Sequence, residues 1–156
     1  MSLVVECKPD EALALALGLA RRAVEHGMNK VGVCEQLSRR EGISGMVDED
    51  PQSEPMPYLR RLKEFSHAHG VRLLVDEKRN NRAVVLCPRL EEWLVAAAKE
   101  GGLKLTDFGF SSDNGIQLHG EINHRLSGVT RLAKTLLQQK SQRVLRLQAL
   151  LNEKTC

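Results

Sequence analysis

The chain has 156 residues, enough for one domain with a substantial core, and its composition is that of a globular protein, 42% hydrophobic and 28% charged. No apolar run approaches the roughly 18 residues that a membrane-spanning helix needs, so we expect no membrane partner. The four cysteines are scattered without a CxxC pair, which argues against a zinc site or a disulfide framework and favours a cytoplasmic location.

Short apolar runs alternate with helical patterns along the first hundred residues. Residues 3–5 predict a strand, and apolar side chains at helical spacing predict a helix over 11–26 that ends at Gly27. Residues 28–33 predict a short strand and residues 34–40 a helix. The remaining predicted elements are a strand over 43–47, a helix over 58–69, strands over 71–75 and 83–87, a helix over 89–99 and, beyond a loop-rich stretch at 103–124, two short helices.

This alternation predicts an α/β fold, with a mainly parallel sheet and helices on both faces. We expect residues 1–102 to form the α/β core and residues 103–156 to form a loop and a basic helical C-terminal extension of the same domain. The last two helices carry apolar stripes, which serve either that core or a dimer. A homo-oligomer or a larger complex therefore stays open.

Acidic side chains follow two of the predicted strands. Glu6 follows the first strand, and Asp48 and Asp50 follow the strand over 43–47. Residues two apart in an extended chain point to the same side, so we expect the two aspartates to be directed together and Glu49 away from them. Parallel sheets place ligand sites at the carboxyl ends of strands, and a carboxylate cluster there favours Mg²⁺ or Mn²⁺. The alternative is that these acids are solvated loop residues.

Three strings carry a resemblance to a known family. Glu6-Cys7-Lys8-Pro9-Asp10-Glu11, after a hydrophobic strand, looks like the opening motif of Toprim domains, in which Gly follows the Glu. The string from Gly45 to Asp50 looks like the Toprim DxD strand. The string from Cys87 to Leu94 resembles the third acidic motif of Toprim-like nucleases related to the OLD family. The similarity covers roughly the first 100 residues.

The resemblance implies a Toprim-like, Rossmann-like fold and a Mg²⁺- or Mn²⁺-dependent phosphoryl-transfer enzyme acting on nucleic acid, above all a nuclease. It implies that Glu6 is the general acid/base, that Asp48 and Asp50 hold the metal, and that Glu91 is a further ligand. Glu91 has a second explanation, because acids are favourable in the first turn of a helix. Cys7 replaces the family Gly, which leaves open a non-catalytic nucleic-acid-binding or accessory module with a vestigial metal site.

Basic residues are concentrated near the C-terminus. Of the 23 basic side chains, seven lie from residue 125 onward against a single acid, Glu153. This asymmetry is typical of a polyanion-binding surface, although a solvated helix face gives the same count. The tail lacks aromatic residues, so we expect contacts to the phosphate backbone and no base preference. The predicted nucleic-acid contacts are Lys78, Arg79, Arg82, Arg131, Lys134, Arg143 and Arg146; the first three lie in a segment that is otherwise an ordinary polar turn.

Overall fold

Six strands form one sheet in the computed structural model, which describes residues 2–153. The strands are β1 (Leu3–Val5), β2 (Val24–His26), β3 (Ser44–Asp48), β4 (Lys63–Ala68), β5 (Val71–Asp76) and β6 (Asn81–Leu86). Their order across the sheet is β2-β1-β3-β6-β5-β4. The first four in this order pair in parallel, whereas β5 is antiparallel to both β6 and β4. The prediction of a mainly parallel sheet is confirmed.

Helices cover both faces of the sheet. In the described part of the chain they are α1 (Lys8–Ala16), α2 (Lys30–Arg39), α3 (Pro57–Arg60), α4 (Leu90–Glu100), α5 (Gly115–Glu121), α6 (Leu126–Gln138) and α7 (Gln142–Asn152). Strand side chains alternate between two hydrophobic clusters, so Val4 packs with α2 and α3 while its neighbour Val5 packs with the other helices. Within residues 2–153, no helix has the length and apolar character to cross a bilayer.

The C-terminal helices belong to the main core of this chain. Leu132 and Leu136 of α6, and Leu147 and Leu151 of α7, are almost completely buried in the same cluster as the sheet residue Val84. The apolar stripes that the sequence shows are therefore covered within the chain. Residue 1, of the predicted range 1–102, and residues 154–156, of the predicted range 103–156, lie outside the described residues.

The prediction is wrong between residues 17 and 33. Helix α1 ends at Ala16, ahead of Gly18, whose φ of +104° breaks the helix. The end of the predicted helix is instead strand β2, which is held by pairing with β1. Residues 30–33, predicted as a strand, begin α2, because the Asn29 side chain caps its first turn by accepting a hydrogen bond from Gly32 N–H at 2.8 Å.

The predicted helix over 58–69 is also wrong beyond its first turn. Only Pro57–Arg60 is helical, and Lys63–Ala68 is the edge strand β4. The partner strand β5 supplies the hydrogen bonds that keep this polar segment extended. Local propensity misses such a strand because pairing decides it.

Candidate functional site

Four acidic side chains approach one another at the carboxyl edge of the sheet. We call Glu6, Asp10, Asp48 and Glu91 the carboxylate cluster. They come from different parts of the fold: the loop after β1, helix α1, the end of β3 and the first turn of α4. Asp10 is only 3% exposed and Glu91 only 7%. Acidic residues are seldom buried to this extent without a cation or a specific role.

The topology brings these residues together. Parallel strands β1 and β3 pair with Val5 opposite Met46, so Glu6 lies beside the end of β3, and its Oε2 accepts a hydrogen bond from Asp48 N–H at 2.8 Å. Strand β6 flanks β3 on the other side and leads into α4. The N–H of Leu90, at the start of that helix, donates to Asp48 Oδ1 at 3.0 Å. The backbone N–H groups of Asp48 and Leu90 therefore orient the carboxyl groups of Glu6 and Asp48, respectively.

Burial and crowding make these groups retain protons. Burial, reinforced by the nearby charges of Asp10, Glu6, Glu91 and Asp50, raises the pKa of Asp48 to about 9. Burial raises the pKa of Asp10 to about 7, although hydrogen bonds from Cys7 oppose the shift. The pKa of Glu6 is also raised, chiefly by burial, against the lowering effect of the Asp48 N–H. At neutral pH the cluster therefore does not carry its full negative charge.

Glu91 has one oxygen with a partner and one without. Its Oε1 lies 3.0 Å from Nδ1 of His119, whose side chain is 68% exposed. Its Oε2 is buried and finds no hydrogen-bond partner among residues 2–153. An unsatisfied buried acceptor of this kind is costly, and a hydrogen-bond donor or a cation would satisfy it.

Asp50 lies at the border of the cluster. Strand β3 ends at Asp48, and Asp50 has a φ of +48°, so the expected extended geometry does not continue to it. Its N–H donates to the Pro88 carbonyl at 3.0 Å, and its Oδ2 lies 3.9 Å from Lys30 Nζ. Glu49 is directed elsewhere, and its Oε2 lies 3.5 Å from Arg72 Nη1.

The carboxyl groups do not form a ready-made metal site in this conformation. Within residues 2–153, no group of three or more His, Cys, Asp or Glu side chains is arranged so that it could hold a metal ion. Backbone donors engage Glu6 and Asp48, as described above. Asp10 is engaged by Cys7, whose backbone N–H and Sγ both lie 3.2 Å from Asp10 Oδ2. The ligand set that the sequence implies, Asp48, Asp50 and Glu91, is thus near one place but not in coordination geometry.

Two members of the site were missed from the sequence. Asp10 reads as an ordinary acid before a helix, but at the third position of α1 it completes a capping box with Cys7 and becomes buried. Lys30 was assigned to a strand, whereas it starts α2, with its Nζ donating to the Glu49 carbonyl at 3.0 Å. The string Glu6-Cys7-Lys8-Pro9-Asp10 contains the signal for Asp10, and Asn29, the N-cap residue of α2, is the local signal for a helix that begins at Lys30.

Three of the predicted nucleic-acid contacts are occupied by interactions within the chain. Arg82 is 8% exposed, and it donates to the Leu150 carbonyl at 3.2 Å and to Glu153 Oε2 at 2.6 Å. It therefore anchors the end of α7, and little of it is exposed for a contact with nucleic acid. Arg143 Nη2 lies 3.0 Å from Glu100 Oε2, and Arg146 Nη2 donates to Ser66 Oγ at 2.7 Å.

The other four predicted contacts are on the surface but are dispersed. Lys78 and Arg79 are in the β5–β6 turn, where Gly42 N–H donates to the Arg79 carbonyl at 3.0 Å. That turn is at the amino edge of the sheet, about 16 Å from the carboxyl edge at 3.3 Å per strand residue. Arg131 and Lys134 are exposed on α6, and the Arg131 guanidinium lies over the Phe108 ring. The fold does not gather these bases around the carboxylate cluster.

No family model matches the chain, and comparisons with curated proteins and with solved structures also give no match. The Toprim resemblance stays a prediction that rests on the three sequence motifs.

Proposed function

We propose that this chain is a Mg²⁺- or Mn²⁺-dependent phosphoryl-transfer enzyme that acts on nucleic acid, above all a nuclease. The observation that carries the proposal is the convergence of four acidic side chains from separate elements at the carboxyl edge of a mainly parallel sheet. Clustered buried acids destabilise a fold, and perturbed carboxyl groups of this kind are typical of functional sites. The edge is also where open α/β sheets bind ligands.

The residues present fit a divalent cation in one specific respect. Oε2 of Glu91 is a buried acceptor that finds no partner among residues 2–153, and a cation would satisfy it. Glu91, Asp48 and Asp50 would hold the ion after their side chains rearrange. A bound divalent ion neutralises the charge that develops on a scissile phosphate. Because the folded protein keeps Asp48 protonated, metal binding should release a proton.

Glu6 would transfer the proton. Asp48 N–H fixes one of its oxygens, and burial raises its pKa toward the range useful to a general acid or base at neutral pH. Lys30 supplies a cation at the same edge, with its Nζ 3.9 Å from Asp50 Oδ2. It would attract a phosphate group toward the carboxylates.

The second candidate function is a non-catalytic nucleic-acid-binding or accessory module of the Toprim fold. The contact between Cys7 and Asp10 favours it, since the thiol stands where the resembling family has Gly and engages a buried acid. In this alternative the cluster is a protonated, structural remnant, and the metal-ligand geometry stays unformed.

Cleavage assays separate the two functions. Plasmid, single-stranded DNA and RNA are incubated with the purified protein in Mg²⁺, Mn²⁺ or EDTA. We expect metal-dependent cleavage that falls by about 10²-fold or more in Glu6→Gln, because loss of a general acid or base has effects of this size. The matched control is Glu41→Gln, an exposed acid ahead of β3 at the opposite, amino edge of the sheet. Cleavage that survives EDTA or is equal in Glu6→Gln would contradict the proposal, and binding without cleavage would favour the accessory module.

A further inference from the structure

We infer that a cavity next to the carboxylate cluster binds one nucleotide unit, with the phosphate at a basic rim and the sugar and base on an apolar floor. The inference rests on the proposed function, since it identifies where the substrate lies. The cavity has a volume of about 410 Å³ and opens beside the loop that follows β3. It shares Lys30 and Asp50 with the border of the cluster. A ligand in it would therefore reach the proposed chemistry directly.

The floor of the cavity is apolar. Leu74 of β5 and Val85 of β6 come from the sheet face that α2 and α3 cover, and Met56 and Leu59 close the opposite side. Aliphatic side chains of this kind cover the face of a base or a sugar without reading its hydrogen-bonding edge. The lining that the structure describes includes no aromatic ring, so the floor offers contact area and not stacking. The site should accept different bases.

The rim of the cavity carries three cations. Lys30, Arg60 and Arg72 face two acids, Glu49 and Asp50. Glu49 is already engaged by Arg72, with 3.5 Å between Oε2 and Nη1. Lys30 lies close to Asp50, and Arg60 is exposed at the end of α3. Arg72 also donates to Glu64 Oε1 at 2.5 Å, so acids on two sides engage it. Arg60 has no acid partner among residues 2–153 and is the cation of the rim left for an anion. A phosphate group accepts hydrogen bonds from both Lys and Arg.

The size of the cavity selects a small unit. A volume of about 410 Å³ is near the lower end of the range for small-molecule sites, about 300–1,000 Å³. One nucleotide of a chain, or a free nucleoside monophosphate, fits this range, whereas inorganic phosphate alone would leave the apolar floor uncovered. A rim whose cations can contact an anion, together with an apolar floor, thus points to a nucleotide.

Equilibrium binding of uridine 5′-monophosphate, measured by calorimetry in EDTA, tests the inference apart from any metal or cleavage. We expect it to bind about tenfold more tightly than inorganic phosphate, because only the nucleotide covers the floor. Adenosine 5′-monophosphate should bind within about threefold of it. Equal affinities for the nucleotide and for inorganic phosphate would overturn the inference.

Two variants and a control locate the binding. Arg60→Gln should weaken nucleotide binding about tenfold, as expected for one hydrogen bond to a charged group. Met56→Asp puts a negative charge in the cavity lining and should weaken nucleotide binding as well. Since Met56 is the N-cap residue of α3, where Asp is favourable, the fold should tolerate the change. The control is Arg61→Gln, because Arg61 is also exposed but lies over the Tyr58 ring, at 5.7 Å, outside the cavity. Equal affinities of Arg60→Gln and Arg61→Gln would overturn the inference. If only the nucleotide site is wrong, the Mg²⁺ response and the cleavage activity remain. If only the proposed function is wrong, the Mg²⁺ response and cleavage are absent, and nucleotide binding in EDTA remains.

Discussion

The carboxyl edge of the sheet and the surface of the C-terminal helices hold most of the charged residues that the sequence singles out, and the fold treats the two regions in opposite ways. At the edge, Glu6, Asp48 and Glu91 come from distant positions and are brought together. In the helices, Arg143 and Arg146 are engaged by neighbouring side chains, and Arg131 and Lys134 stay on the surface. The fold gathers the acids in one place and leaves the bases apart.

The difference shows which kinds of sequence pattern carry positional information. An acid that directly follows a strand has its position dictated by the sheet, since neighbouring parallel strands end at one edge. A basic residue on a helix has no such constraint, and its partner depends on the packing of the whole helix. Predictions of strand-end sites are therefore more secure than predictions of helix-face binding surfaces.

The largest expected effect on stability is at Arg82, which the sequence suggests as a nucleic-acid contact and the structure buries. Replacing Arg82 by Gln should lower the free energy of unfolding by about 2–3 kcal/mol, because the α7 carbonyls and Glu153 lose a charged, buried partner. Lys134→Gln, on the exposed face of α6, should change it by less than about 0.5 kcal/mol. Urea unfolding of the two variants measures the difference. Equal midpoints would mean that Arg82 has no anchoring role.

The pH dependence of stability tests the crowding of the acids. The pKa of Asp48 is raised in the folded protein, so the folded state holds a proton that the unfolded state releases above about pH 4. Its stabilising contribution is therefore present at low pH and is lost as the pH rises toward 9. Asn at position 48 keeps an acceptor for Leu90 N–H but carries no charge. Asp48→Asn should consequently be more stable than the wild type at pH 8 and should show little difference at pH 4.

Thermal unfolding in EDTA across this pH range checks the expectation, with Glu49→Gln as the control for the same replacement of a carboxyl group by an amide. An identical decline of stability with pH in wild type and Asp48→Asn would contradict the assigned crowding. If only Glu49→Gln abolished the decline, the crowded acid would be Glu49 and not Asp48.

The sequence predicted those parts of the fold in which local pattern and tertiary structure agree. Strands β1, β3, β5 and β6 and helices α4, α6 and α7 all have strong apolar patterns, and their positions are confirmed. Strands β2 and β4 at the sheet edges were missed, because their polar, weakly patterned residues are extended only through pairing with one neighbour. Errors around β2 also placed Lys30 on a strand, and the predicted site contains Glu6, Asp48 and Glu91 but lacks Asp10 and Lys30.

The salt dependence of nucleic-acid binding tests the basic residues of the C-terminal helices. If Arg131 and Lys134 each contact a phosphate, replacing both by Gln should reduce the magnitude of the log–log slope by about 1.8 on duplex DNA, at about 0.9 per phosphate. Replacing Arg143 and Arg146 by Gln removes the same charge but should change the slope less, since Glu100 and Ser66 engage these side chains. Fluorescence anisotropy at several salt concentrations measures both slopes. Equal reductions would indicate a diffuse charge effect without specific contacts.

The most direct test of the carboxylate cluster as a metal site is a Mg²⁺ titration. Mg²⁺ is added to protein prepared without metal, and the thermal midpoint is measured at each concentration. For a dissociation constant of about 1 mM, 10 mM Mg²⁺ should stabilise the folded protein by about 1.4 kcal/mol, because the ion binds only the folded state. Asp48→Asn and Asp50→Asn should abolish this rise, and Glu49→Gln should keep it. A wild-type midpoint that does not respond to 10 mM Mg²⁺, or one that rises equally in Asp48→Asn, would contradict the assignment of the cluster as a metal site.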